Sequence, residues 1–197
     1  MKIDKNIRPD IPMRLFKNQK EWNKWLDKNH ADSPGIWLRI SKKGSNVKSV
    51  TYNEALETAL CYGWIDGQKN KYDDQTWLQK FTRRGTKSIW SKINRKKAEE
   101  LIKNDMMKPA GLTAVEAAKK NGRWKAAYDS HSTAKIPKDF QIELNKNSKA
   151  KEFFTTLNST NRYAILFRIQ TAKRSETREK RIRQFITMLE NHEKIHP

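Results

Sequence analysis

Apolar residues recur along this chain with two different periods. Tyr52, Ala55, Leu56, Ala59, Leu60 and Gly63 fall at i, i+3, i+4, i+7, i+8 and i+11, so all six share one face of a 3.6-residue helix. Thr51 and Glu54 stand at capping-box spacing before it, and Gly63 is a natural stop because it tolerates positive φ. The period then changes. Trp64, Ile65, Trp77, Leu78 and Phe81 are strand-type residues, and Tyr72-Asp73-Asp74-Gln75 carries turn chemistry between them. Two antiparallel strands follow from this pattern, with Trp77, Gln79, Phe81 and Arg83 on one face and Leu78, Lys80 and Thr82 on the other. Asp66-Gly67 is a competing turn signal, so a bulge or a shorter strand there is the alternative.

On either side the same reasoning places further elements. Residues 1–17 read as extended or loop, since Pro9 and Pro12 block a helix. Trp22, Trp25 and Leu26 predict an amphipathic helix over 18–29, capped by Asn18 and Glu21. Ile36, Leu38 and Ile40 alternate with Trp37, Arg39 and Ser41 as a strand, and a basic loop follows from Lys42 to Lys48. Helices are predicted over 91–105 and 111–121, the second with Thr113 and Glu116 as its capping box. Residues 130–136 read as a polar linker.

Beyond it, Pro137 is placed at a helix N1 position. Helices are then expected after Ser148, after Ser159 or Thr160, and after Ser175. The predicted fold class is α+β. An antiparallel sheet of about three strands is packed by helices over residues 1–134, and a C-terminal unit of three to four short helices occupies 135–197.

Composition narrows the class. Of 197 residues 36% are hydrophobic and 32% charged, and seven are tryptophan, too aromatic for a disordered chain. The formal net charge is +20. Residues 135–197 carry 14 Lys and Arg against 7 Asp and Glu, a net of +7, which leaves +13 for residues 1–134. No basic tail hangs on a neutral body. One cysteine excludes an internal disulfide framework and a cysteine-rich zinc site, and the four histidines lack metal-ligand spacing, so no metal or cofactor is expected. Lys2, Asp4, Lys5, Arg8 and Asp10 break any apolar leader, and the run Ala59 to Ile65 is too short to span a bilayer. A cytoplasmic protein without a transmembrane segment is the expectation.

Candidate chemistry concentrates between Ser49 and Asn94. Cys61, Trp64, Asp66, Arg84, Ser88, Trp90, Ser91 and Asn94 form a hypothetical ligand pocket at the end of the central helix and the hairpin. In it Asp66 is the base or orienting carboxylate, Arg84 the anion clamp, and Trp64 and Trp90 the apolar walls. The opposing reading has Asp66 in a turn, Ser88 and Ser91 as helix caps, and the tryptophans in the core. Cys61 lies off the apolar stripe near a helix C-terminus, whose partial negative charge disfavours a thiolate. No residue is assigned a catalytic role. Arg84, Lys87 and Lys92 surround a predicted helix start, which attracts anions through its free N–H groups. Arg174, Arg178 and Arg181 align along the last helix as a second anion-binding stripe, or as a solvated face.

Five motifs, ALCYGWIDG (59–67), FTRRGTKSIWSKIN (81–94), MMKPAG (106–111), GRWKAAY (122–128) and AKRSETREKRI (172–182), together resemble the bacterial YdeI/OmpD-associated family, also called bacteriocin-protection proteins. The resemblance implies a bacterial cytoplasmic α+β protein with a small helical C-terminal segment. It also implies a link to stress or antimicrobial-peptide resistance in some members, and no established reaction.

Three functions follow. The first is a non-enzymatic basic protein engaging an anionic partner, whether a phosphorylated small molecule, an acidic protein or nucleic acid. Antimicrobial peptides are themselves usually cationic, so direct capture by a +20 chain is electrostatically opposed. The second is non-specific nucleic-acid binding, for which the chain shows charge and aromatics but no recognition motif. The third is a small-ligand or enzyme site around Cys61, Asp66 and Arg84.

Overall fold

The computed structural model describes residues 11–197. The expectations for residues 1–10, an extended start without a leader, lie outside the described residues. The chain divides into two compact units. One is built from the described residues through Ser88 together with Asn94–Lys125, the other from Ile89–Ile93 together with Ala126–Pro197.

In the first unit β1 (Met13–Leu15), α1 (Gln19–Asn29), β2 (Ile36–Ser41), α2 (Tyr52–Cys61), β3 (Trp64–Lys71) and β4 (Thr76–Arg83) follow in order. The sheet runs β1-β2-β4-β3, antiparallel except that β1 lies parallel to β2. The fourth strand, β1, falls in the stretch expected to be extended or loop-like; three residues are too few to show a period. α1 and α2 start where their caps predict. Asn18 accepts from the Glu21 N–H, and Thr51 and Glu54 form a reciprocal capping box.

The Asp66-Gly67 signal is a bulge inside β3. The register moves from Asp66 opposite Phe81 to Lys69 opposite Gln79. The buried Gln79 amide donates to the carbonyls of Gly67 (3.0 Å) and Gln68 (3.2 Å), so the two carbonyls at the bulge have a partner. Asp73 forms the hairpin turn by accepting from the backbone N–H groups of Gln75 (2.9 Å) and Thr76 (2.6 Å).

Both faces of the sheet carry buried apolar residues. On one, Phe81 meets Trp22 at 5.7 Å, Trp22 stacks on Trp25 at 5.4 Å, and Trp25 meets Trp64 edge-on at 5.8 Å. On the other, Trp37 and Leu78 pack with Ile11. Burying one such ring removes about 200 Å² from water, roughly 5 kcal/mol of gross driving force at 25 cal/mol/Å². Two indoles also donate their N–H to backbone carbonyls: Trp22 to Ala55 and Trp64 to His30, both at 3.0 Å. These bonds fix α1 to α2 and to the sheet.

α3 (Lys92–Lys103) and α4 (Pro109–Lys120) complete the elements that reach this unit. α4 starts two residues before the predicted Gly111. Pro109 suits a first helical position, and Thr113, expected to cap it, sits one turn inside the helix and donates back to the Pro109 carbonyl at 2.9 Å.

The second unit holds α5 (Lys138–Lys146), α6 (Ser148–Thr156), α7 (Ser159–Gln170) and α8 (Ser175–Glu190) around Phe140, Phe154, Ile165, Ile169 and Leu189. Pro137 stands at the N-cap of α5, one position before the N1 expected. The caps of α6 and α7 are Asn147 and Asn158 rather than the serines and threonine that follow them. Asparagine caps as well as serine, and each helix therefore starts one residue early. Ile89–Ile93 is joined to this unit by backbone: Tyr128 N–H donates to Trp90 (3.0 Å) and Lys92 N–H to Tyr128 (2.8 Å).

Candidate functional site

The end of α2 is clamped against α4. The Lys108 N–H donates to the Cys61 carbonyl at 3.0 Å, and Gly111 packs directly on that carbonyl. Gly63, at φ +70°, turns the chain into β3 with no room for a side chain: a Cβ there would lie 2.8 Å from the Ala110 oxygen. Cys61 is thereby buried, and burial pushes its thiol up to about 11, with Glu57 adding to the rise and Lys108 opposing it. A thiol of that kind stays protonated at neutral pH and is a poor nucleophile.

Beside Cys61 opens a cleft of about 440 Å³. It is lined by Lys20 and Asn23 of α1, Thr58 and Cys61 of α2, and Met106 and Lys108 of the α3–α4 linker. Leu101, Asp105, Glu57 and Gln19 complete it. Several of its polar groups are already engaged. Gln19 Nε2 donates to the Thr58 hydroxyl (3.1 Å), which donates in turn to the Glu54 carbonyl (2.7 Å). Glu57 is paired with Lys97 at 2.5 Å. The Tyr62 hydroxyl donates to Asp27 (3.1 Å) and Asn23 (3.3 Å), and burial raises it to about 12.

The other predicted pocket residues go elsewhere. Trp64 is wholly buried in the aromatic core. Asp66 accepts from the Tyr52 hydroxyl at 2.7 Å, at the opposite end of α2 from Cys61. The Arg84 N–H donates to Gly63 at 2.9 Å and extends the hairpin by one bond. Ser88 closes a turn by accepting from the Gly85 N–H at 3.1 Å, four residues ahead of α3 rather than at its cap. Asn94 is buried on α3, while Trp90 and Ser91 belong to the second unit.

The predicted anion-binding residues divide in the same way. Lys87 is exposed. Lys92 pairs with Asp129 at 2.6 Å; burial of that carboxylate is outweighed by Lys92 and by the Gln170 amide (2.7 Å), and its pKa falls. In the stripe on α8, Arg174 is exposed at the N-cap. Arg178 grips Asp139 with two nitrogens, at 2.6 and 2.9 Å, and donates a third bond to the Ile169 carbonyl at 2.8 Å. Arg181 donates to the Arg168 carbonyl. These two arginines close the exposed carbonyls at the end of α7.

A second basic surface lies where loop 42–48 meets the hairpin tip. The Lys42 N–H donates to the Gln75 carbonyl (2.8 Å) and the Asn46 N–H to the Gln75 side chain (3.3 Å), which makes the two segments one knob. Lys43, Lys48, Lys69 and Lys71 stand exposed on it, and none has an ion-pair partner among the described residues. Lys69 lies 4.3 Å over the half-exposed Trp77 ring. Asp73 is taken by Arg39 at 2.7 Å, so it neutralises none of the four. Charge counting along the chain flags Lys43 and Lys48 only as part of a basic loop, and does not flag Lys69 and Lys71, which lie on β3. Lys20 and Asn23 of the cleft carry no sequence signal, and Lys108 is marked only as a member of the MMKPAG motif.

Among the described residues no group of three or more His, Cys, Asp and Glu is arranged to hold a metal, and no helix is long and apolar enough to cross a membrane. Comparison with known families divides the chain as well. Residues 14–114, which contain the first three motifs, match the family described as Domain of unknown function (DUF8412). Residues 133–192, which contain the last, match Bacteriocin-protection, YdeI or OmpD-Associated. No curated protein and no solved structure matches.

Proposed function

The chain belongs to the DUF8412 family and carries a YdeI/OmpD-associated segment at its C-terminal end, and from that premise we propose that it is a non-enzymatic, cytoplasmic binding protein for an anionic partner. The knob formed by loop 42–48 and the hairpin tip carries this reading. Four lysines without ion-pair partners among the described residues sit there, one of them over a half-exposed indole, in a chain of net charge +20. Unpaired surface ammonium groups attract polyanions and release counterions from them. The protonated Cys61 thiol and the engaged Asp66 carboxylate favour binding over covalent chemistry. Any part in bacteriocin protection runs through that partner, because a cationic peptide is repelled by the same surface.

The test measures binding of the full chain to single-stranded oligonucleotide, polyglutamate and anionic vesicles over a range of salt. The expected outcome is affinity for one of them that falls steeply with salt, with a slope reduced when Lys43, Lys48, Lys69 and Lys71 are all changed to Gln. For a nucleic acid, each phosphate the variant leaves unneutralised lowers the slope of log K against log salt by about 0.7–0.9. No binding in low salt, or an unchanged slope in the quadruple variant, overturns the reading.

A further inference from the structure

The cleft beside Cys61 has the dimensions of a small-molecule site and a charge pattern of its own. Its volume of about 440 Å³ lies inside the roughly 300–1,000 Å³ range of such sites. Lys20 enters from α1 and Lys108 from the α3–α4 linker, so the two ammonium groups come from separate elements. Neither has an ion-pair partner among the described residues. Of the two carboxylates in the lining, Glu57 is neutralised by Lys97 and Asp105 is left. The lining therefore holds two cations and one anion without an ion-pair partner among the described residues.

The neutral groups add to this. Asn23 Oδ1 shares the single Tyr62 hydroxyl proton with Asp27, at 3.3 Å against 3.1 Å, and the Asn23 amide nitrogen adds a donor to the lining. The Thr58 hydroxyl is saturated by Gln19 and Glu54. Leu101, Met106 and the uncharged thiol of Cys61 supply an apolar wall. A cleft with separated cations, an amide donor and an apolar wall suits a short carbon skeleton that bears two negative charges.

We propose that this cleft binds a small organic dianion, a phosphomonoester or a dicarboxylate, held by Lys20 and Lys108 with its carbon skeleton over Cys61. The proposal goes beyond polyanion binding at the knob and uses none of its residues.

Cys61 is the only cysteine and lines the cleft, so iodoacetamide modifies this one site; because the thiol is buried and protonated at neutral pH, alkylation is followed at pH 9 and compared with the rate of unfolding under the same conditions. The full chain is alkylated with glycerol 3-phosphate, with succinate, and with inorganic phosphate or chloride at matched ionic strength, and its melting temperature is followed in parallel. The expected result is that glycerol 3-phosphate or succinate raises the melting temperature and slows alkylation by the factor 1 + [L]/Kd, about tenfold near ten times Kd. Whichever of the two protects identifies the phosphoryl or the carboxyl form. Protection should be lost in Lys20→Met and Lys108→Met, both at exposed positions where folding is expected to survive. Three outcomes overturn the proposal: no slowing by either organic anion in the wild-type chain, equal slowing by inorganic phosphate, or full protection retained in the Lys20→Met, Lys108→Met double variant.

Discussion

Gly111→Ala should destabilise the first unit although helix propensity favours it. Replacing glycine by alanine inside α4 gains up to about 1 kcal/mol from backbone entropy. The local geometry opposes that gain. A Cβ at Gly111 would lie 2.8 Å from the carbonyl carbon of Cys61, 2.8 Å from Met107 Cε, and closer still to the Cys61 oxygen. Met107 can move, but the α2 backbone cannot without separating from α4. Overpacking of this kind costs about 1–3 kcal/mol. Separation also stretches the 3.0 Å bond from the Lys108 N–H to the Cys61 carbonyl, about 1 kcal/mol more. The net effect is a loss of about 2 kcal/mol. With a urea m-value of about 2 kcal/mol/M the unfolding midpoint falls by about 1 M, and the melting temperature by about 4–8 °C. Cys61 alkylation should quicken in the same variant as its cover lifts. Gly85→Ala, where a Cβ meets nothing within 4 Å, is the control and should be near neutral. A Gly111→Ala protein as stable as the wild type or more so would refute the close approach of α2 to α4 and the cleft beside it.

Three further outcomes are expected. Trp64→Phe removes the indole that donates to the His30 carbonyl at 3.0 Å and leaves that carbonyl short of a partner, which should cost about 1–3 kcal/mol in urea unfolding followed by tryptophan fluorescence. Phe140→Ala empties a fully buried position that meets Phe154 edge-on at 5.7 Å; a loss of about 3–5 kcal/mol should broaden the amide NMR signals of α5 to α8 and leave those of the hairpin in place. Arg178, followed by a backbone N–H from Phe140, holds the Asp139 carboxyl below its usual value. The resulting stability is present above the unfolded pKa of about 3.9 and is lost as pH falls through the lower folded value. Asp139→Asn should therefore lower the urea midpoint of the second unit modestly at pH 7, with the gap to the wild type closing toward pH 3. A gap that stays constant with pH would argue against the pair.

Local rules were enough for the periodic and capped parts of this protein. The i, i+3, i+4 spacing of Tyr52 to Gly63, the Thr51–Glu54 box and the turn at Asp73 are interactions between residues a few positions apart, so the chain specifies them before it folds. The α+β class and a C-terminal unit of three to four helices, four in the structure, follow from the same short-range logic. What escaped was long-range. β1 is a strand only because β2 offers it hydrogen bonds. Arg178 and Arg181, evenly spaced and solvent-like along α8, are drawn onto the carbonyls ending α7 and onto Asp139, thirty-nine positions away. The pocket expected from neighbouring residues around Cys61 came apart for the reverse reason. A helix and a hairpin set Cys61 and Asp66 at opposite ends of α2, and packing then placed Lys20 and Lys108, distant in the chain, beside the thiol. Hydrophobic period and caps act over one or two turns, whereas a site is assembled by the burial of whole elements against each other, and no spacing rule records which side chains that burial brings together.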